Sequence, residues 1–276
     1  MKGWFIRYLG VHRGSGDARP LHVEGAGPAV LCLHGFSGSP FEVRPPGEAL
    51  GNAGFSVLSP WLAGHEGGAK AFAASRYPDW LKSAETALNE LVGKNAGRPV
   101  GIFGFSMGGL LAVCLAHAFP KQVGALALGA VPLRLGRNER FGIRVLGALP
   151  RFLTESPLLR IPKMGGSDVC DPVARQENPG MPVMPVSGLK SLIELQDHAR
   201  ALLPELRIPV LVVHGEKDQT VPLADSHELM GCLGSTDIES LWLKRSGHLV
   251  GVDVEKHQLS EALVRFFLRT LTASQI

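Results

Sequence analysis

The sequence predicts an α/β fold: a mostly parallel sheet covered by helices and interrupted by one long insertion. Three observations lead there. Short apolar runs rich in Val, Leu and Ile recur at residues 29–33, 55–59, 100–105, 125–129, 209–213 and 239–243. Longer amphipathic segments separate most of them, the alternation that places parallel strands beneath crossover helices. Between the fourth and fifth runs, residues 132–206 span about 75 positions, where a bare βα unit needs far fewer.

Length and charge narrow the class. The 276 residues suffice for one large domain with a generous core, so a single domain over 1–276 is expected, with a cap at approximately 132–206. Lys and Arg exceed Asp and Glu by 28 − 25 = 3, without clustered lysine tracts, which argues against a nucleic-acid partner. Cys32, Cys114, Cys170 and Cys232 stand far apart and imply no disulfide framework. Residues 1–10 carry Lys2 and Arg7 around a short, broken apolar stretch, too brief for a secretory or membrane-spanning segment. A soluble, cytoplasmic protein is the expectation. The ten histidines form no H-E-x-x-H and no C-x-x-C stands beside them, so no metal is expected.

Taken in chain order, the first run leads into His34-Gly35-Phe36-Ser37-Gly38, where the glycines let the backbone turn an N–H inward. His34, and His65 in Leu62-Ala63-Gly64-His65, read as histidines that order their loops by hydrogen bonding. Trp80, Ala84, Leu88 and Leu91 follow at close to the α period, with Pro78 tolerated in the first turn and Asp79 favoured at the positive end.

The third run ends in Gly104-Phe105-Ser106-Met107-Gly108, at the junction with a helix-like segment, 109–119. A nucleophilic serine needs such a strand–turn–helix junction, with small neighbours that permit the sharp turn and helix N–H groups facing developing charge. The same serine could instead be an ordinary N-cap. Within the insertion, residues 137–149 place Phe141, Val145 and Leu149 on one helical face, away from Arg137, Arg140 and Arg144. Seven prolines between Pro150 and Pro185, with Gly165, Gly166 and Gly180, exclude long helices there and suggest an irregular lid. Leu149, Phe152, Leu153, Met164, Met181 and Met184 would give that lid an apolar lining or simply pack it.

A serine hydroxyl needs a base and a carboxylate that orients it. Asp218 follows the fifth run in His214-Gly215-Glu216-Lys217-Asp218-Gln219-Thr220-Val221-Pro222, and is preferred over Glu216, which stands closer to the strand end. His248 follows the sixth run in Lys244-Arg245-Ser246-Gly247-His248. Asp218 could merely cap the helix near Pro222, and a lone loop histidine could face solvent. Jointly, the order Ser106, Asp218, His248 is that of a strand–turn–helix serine hydrolase, with Phe36 and Met107 N–H as its oxyanion hole. The final helix carries Leu259, Leu263, Phe266, Phe267 and Leu271 after Asp253, a plausible N-cap.

Over most of its length the chain resembles the α/β-hydrolase superfamily, and within it bacterial carboxylesterases similar to monoacylglycerol lipases. The likeness rests on Leu33-His34-Gly35-Phe36-Ser37-Gly38, Gly104-Phe105-Ser106-Met107-Gly108-Gly109, Lys217-Asp218-Gln219-Thr220-Val221-Pro222, and Ser246-Gly247-His248-Leu249 running into Asp253-Val254-Glu255-Lys256. Glu66 departs from it, standing where relatives often have glycine. The resemblance implies an α/β-hydrolase fold with an eight-stranded, mostly parallel sheet and a cap after the strand that follows the nucleophile helix. It also implies no cofactor and a triad of Ser106, Asp218 and His248. The expected activity is hydrolysis of short- to medium-chain carboxylic esters, monoacylglycerols among them, with at most transient lipid contact. Thioester hydrolysis, acyl transfer and perhydrolysis use the same residues, and a catalytically silent binding protein is the non-enzymatic alternative.

Overall fold

Each of the six apolar runs forms a strand, because β-branched and leucine side chains suit a pleated surface that is buried on both faces. The computed structural model describes residues 14–156, 159–163 and 166–272; residues 1–10, Met164 and Gly165, read above from sequence, lie outside them. The strands are β2 (Ala29–Leu33), β3 (Ser56–Ser59), β4 (Val100–Phe105), β5 (Val123–Gly129), β8 (Val210–Gly215) and β9 (Ile238–Leu243). They pair in parallel, and β1 (Leu21–Val23) adds an antiparallel edge on β3. The order is β1-β3-β2-β4-β5-β8-β9, seven strands among the described residues where eight were expected. With three residues, β1 is too short to carry a period-2 signal, and the expected count came from the resemblance alone.

Alternation decides which layer each side chain joins. Leu31, Leu33, Ile102, Leu126 and Val212 face a layer formed by α3 (Tyr77–Lys94), α4 (Met107–Ala118) and α8 (Val186–Leu202). Val30, Cys32, Phe103, Ala127 and Val213 face α1 (Arg44–Asn52) and α10 (Lys256–Thr272). The apolar stripe of α10, Leu259 to Leu271, closes that second layer. Burial pushes the Cys32 and Cys114 thiols up to about 12, so both pack as small hydrophobes. At the start of α3, Asp79 accepts a hydrogen bond from Arg76 N–H at 2.8 Å, fixing the first turn that Pro78 opens.

Between β5 and β8 the chain makes α5 (Arg137–Leu146), α6 (Arg151–Thr154), β6 (Arg160–Pro162), α7 (Pro172–Glu177), β7 (Val183–Pro185) and α8. Strands β6 and β7 pair antiparallel as a small separate sheet. The proline-rich part has only short elements, as its composition dictates; α8 begins as soon as the prolines end and sends Leu192, Leu195 and Ala199 into the core. Two further helices, α2 (Gly68–Ala74) and α9 (Leu223–Cys232), complete the helical set of the described residues. Parallel pairing aligns the strand ends: Leu33 lies opposite Gly104, Phe105 opposite Gly129, and Gly215 opposite Leu243. The loops carrying Phe36, Ser106, Asp218 and His248 therefore gather at one edge.

Candidate active site

Ser106 occupies the turn from β4 to α4 with φ 52° and ψ −118°, a conformation that costs a non-glycine residue roughly 1–3 kcal/mol. Two backbone bonds hold it there: Ser106 N–H to Gly129 O at 2.7 Å, and Gly109 N–H to Ser106 O at 2.9 Å. The neighbouring glycines answer to crowding. A Cβ on Gly104 would lie 2.5 Å from Gly108 O, and one on Gly108 would lie 2.2 Å from Leu33 O.

The turn aims Ser106 at the base loop. Ser106 Oγ lies 3.1 Å from His248 Nε2, and His248 Nδ1 lies 2.8 Å from Asp218 Oδ2. A carboxylate can only accept, so Nδ1 carries the proton and Nε2 accepts from the serine hydroxyl. Ser106 and His248 are each 7% exposed and the Asp218 side chain 1%, so the line is nearly dry. Asp218 does not cap α9, whose N-cap is Pro222; its Oδ1 accepts instead from Thr220 and Val221 N–H, both at 2.8 Å. Burial opposes its charge. Hydrogen bonding from His214, the proximity and hydrogen bond of His248, and the Val221 N–H nevertheless hold the carboxyl below the usual range. Glu216 is exposed.

On the other side of Ser106, Gly35 N–H donates to Glu42 Oε2 at 2.8 Å, which leaves Phe36 as the next amide of that loop. Met107 opens α4, so its N–H has no acceptor within the helix. Glu42 is buried at the heart of the loop, where a Cβ on Gly38 would come 2.2 Å from its carboxylate. Burial raises the Glu42 carboxyl, against the opposing pull of Lys163, the Gly35 N–H and His248. Sequence reasoning missed Glu42; its only signal was a lone carboxylate within the buried turn Pro40–Val43. His34 orders the loop as expected: Nδ1 faces Gly35 O at 3.0 Å and Nε2 accepts from Leu62 N–H at 3.2 Å. His65 lies 3.1 Å from Ala63 O through Nδ1.

Three carboxylates whose role here sequence reasoning missed hold the loops that carry His248 and Asp218. Asp253 was expected to cap the last helix, but α10 starts at Lys256 and the wholly buried Asp253 faces elsewhere. Its oxygens accept from Gly247 N–H at 2.6 Å, Cys170 N–H at 2.9 Å, and Asp171 and Val254 N–H at 2.8 Å. Gathering four amides on one buried carboxylate satisfies more donors than one cap position presents, and this explains the difference. Glu255 accepts from Arg245 N–H at 2.8 Å and Ser246 Oγ–H at 2.7 Å. Asp168 Oδ2 accepts from Gln219 N–H and Thr220 Oγ–H, each at 2.8 Å, and its carbonyl accepts from Leu249 N–H at 3.1 Å.

Apolar side chains roof the site. Phe36 packs edge-on against Phe72, with centroids 4.8 Å apart, and also against a cluster of Ile143, Leu189 and Ile193 that Ile161 and Met184 join. Met181 is buried and its N–H donates to Ser37 O at 2.8 Å, tying the β5–β8 connection to the Phe36 loop. Leu149 and Phe152, read as lid lining or packing, are instead exposed on the outer surface at 41% and 75%. Both sit at or beside α6, four residues long, which is too short to cover them.

Comparison with known proteins gives the family. The chain is 28% identical to a thermostable monoacylglycerol lipase of Bacillus sp. (strain H-257), over 91% of this chain and 95% of that one. It is 23% identical to a carboxylesterase of Bacillus subtilis (strain 168), over 90% and 95%. A solved structure of the metagenome-derived lipolytic enzymes LipS and LipT matches with a TM-score of 0.82 and 29% identity, covering 91% of this chain and 98% of that one. Residues 26–255 match the family described as serine aminopeptidase, S33, and the chain belongs to that family of α/β-hydrolase enzymes.

Proposed function

We propose that the protein is a serine carboxylesterase that cleaves short- to medium-chain carboxylic esters, monoacylglycerols among them, through an acyl-enzyme on Ser106. The observation that carries this reading is the continuous line from Ser106 Oγ to His248 at 3.1 Å and from His248 to Asp218 at 2.8 Å. His248 Nε2 takes the serine proton as Oγ attacks the ester carbonyl, and the tetrahedral oxyanion is met by Phe36 and Met107 N–H. Collapse expels the alcohol, which receives that proton from His248. Water, deprotonated by the same nitrogen, then releases the acid and restores Ser106. Asp218 stays ionised and stabilises the imidazolium in both halves of the cycle.

Relatives named as monoacylglycerol lipase and carboxylesterase support the ester class. The roof around Phe36, Ile161 and Met184 favours an apolar acyl group. In this reading, one domain carries a cap at approximately 132–206, whose outer aromatic residues touch lipid transiently. No helix among the described residues is long and apolar enough to cross a membrane. Four unpaired cysteines are compatible with a cytoplasmic setting.

The test is hydrolysis of p-nitrophenyl esters from acetyl to palmitoyl and of monoacylglycerols, with aminoacyl p-nitroanilides alongside and fluorophosphonate labelling of the protein. Wild-type protein should turn over esters and label at Ser106. Ser106→Ala should lose labelling and at least about 10³-fold in kcat. Retained esterase activity in Ser106→Ala, or turnover of the anilides alone, rejects the proposal.

A further inference from the structure

His214 is a wholly buried imidazole for which the mechanism above has no use. It lies within β8 among Leu211, Val212 and Val213, where an unpaired polar ring would be costly. Its Nε2 lies 3.0 Å from Val221 O and 3.2 Å from Asp218 Oδ2, and its Nδ1 lies 2.8 Å from Ser226 Oγ. Carbonyl and carboxylate oxygens only accept, so the ring proton sits on Nε2, Nδ1 accepts, and the Ser226 hydroxyl donates. Ser226 is itself 1% exposed, so water does not compete for that bond.

We infer that His214 is a positioning residue for the Asp218–His248 pair, with Ser226 fixing the tautomer it requires; the inference rests on the Ser106 esterase reading. A carboxylate offers about four lone-pair sites. Asp218 Oδ1 accepts from Thr220 and Val221 N–H and its Oδ2 accepts from His248, while the His214 Nε2–H, which donates to Val221 O, stands 3.2 Å from the same Oδ2. With His214 removed, rotation about the Asp218 carboxyl loses one of its stops, and His248 loses its fixed angle toward Ser106. The His214 N–H also draws charge from the oxygen that faces His248. Without it that oxygen holds the imidazolium more tightly, so a higher pH is needed to free the base. The other charged groups around the pair are Glu42, with Lys163 on its far side, and Asp168 on the Gln219–Thr220 backbone. None of them changes in the variants below.

The experiment compares wild type, His214→Phe, His214→Gln and Ser226→Ala for kcat and KM on a soluble p-nitrophenyl ester across pH, Ser106 labelling rate and thermal melting. Phe keeps a flat ring, somewhat larger than imidazole, and removes the donor, whereas the Gln amide can donate toward Asp218. In His214→Phe, kcat should fall roughly 10- to 100-fold with KM within about twofold, and labelling should slow in parallel. The acid limb of kcat/KM should rise by about half a pH unit. His214→Gln should recover most of kcat, and Ser226→Ala should lie between. If His214→Phe does not fold, Ser226→Ala carries the test through the same limb and labelling rate. Variants that melt lower yet keep kcat and the acid limb of the wild type overturn the inference, because His214 would then only support the fold. Wild-type protein that neither labels nor turns over esters would instead reject the Ser106 reading.

Discussion

His34 shows how a single buried side chain links the site to stability. Burial pulls its imidazole down to about 4, against the raising effect of the Gly35 carbonyl, so the folded protein keeps it neutral where the unfolded chain, at 6.5, takes a proton. Above that ordinary value both states are neutral and the ring has no pH effect. As pH falls the unfolded chain binds a proton that the folded one refuses, and stability declines until His34 itself protonates. The gap between 6.5 and about 4 corresponds to about 3 kcal/mol. His65, lowered by burial and by His34, acts with the same sign. Urea unfolding of wild type and His34→Gln between about pH 7 and pH 4 isolates the His34 part, because Glu42 and the other acids cancel in the difference. The variant should be less stable at pH 7, and its deficit should shrink by about 3 kcal/mol at pH 4; a constant deficit refutes the assignment. At this scale the sequence pointed to Ser106, Asp218 and His248, because each follows a strand, and the fold brings the three within hydrogen-bond reach. It did not reveal Glu42 or His214. Their roles come from which buried atoms they face, and neither composition nor spacing encodes that.

At the level of elements, the loop bearing His248 and the chain at Asp168–Asp171 form one structure through Asp253. Four backbone amides converge on that carboxylate, from Cys170, Asp171, Gly247 and Val254. Asp253→Ala leaves them without acceptors in a buried place, at about 1–3 kcal/mol each, less whatever water recovers. We expect at least about 3 kcal/mol of destabilisation, with Asp253→Asn intermediate because one oxygen remains an acceptor. Chemical denaturation measures this, and hydrogen exchange should accelerate first at Gly247, Cys170 and Asp171. A loss below about 1 kcal/mol would mean that the loops are held by their own backbone bonds. The six parallel strands were legible because the inner ones are buried on both faces and so are mostly apolar, while the edge strand β9 still carries Ile238, Leu241, Trp242 and Leu243. The β1 edge and the β6–β7 hairpin were not, since each strand has three residues and draws its stability from its partner. Asp253 misled for a related reason: an acid shortly before a helix reads locally as a cap, and two of its four donors lie 82 and 83 residues away.

Across the described residues, most of the large exposed apolar side chains lie on the β5–β8 connection. Phe141, Val145, Leu149 and Phe152 are 72%, 55%, 41% and 75% exposed on α5, α6 and the turn between them. The arginines beside them are largely engaged: Arg140 and Arg144 pair with Asp197, and Arg151 with Glu155. Two arginines share each acid, Arg140 and Arg144 on Asp197 and Arg76 and Arg151 on Glu155, so this apolar surface keeps a net positive edge that adds attraction to anionic head groups to the contact of the aromatic rings. Burying one phenylalanine ring is worth about 1.5–3 kcal/mol, so replacing Phe141 and Phe152 together by Ser should weaken association with phosphatidylcholine vesicles by at least about tenfold. Turnover of monoacylglycerol dispersed in those vesicles should fall in proportion. Hydrolysis of dissolved p-nitrophenyl acetate should stay within about twofold of wild type, because neither ring belongs to the cluster that roofs Ser106. Adding anionic lipid should strengthen the wild-type association, and moderate salt should remove that gain without abolishing the contact of the rings. Equal losses on the dissolved and the dispersed substrate would show that the rings support the fold of the connection, and unchanged vesicle association would remove the lipid contact altogether.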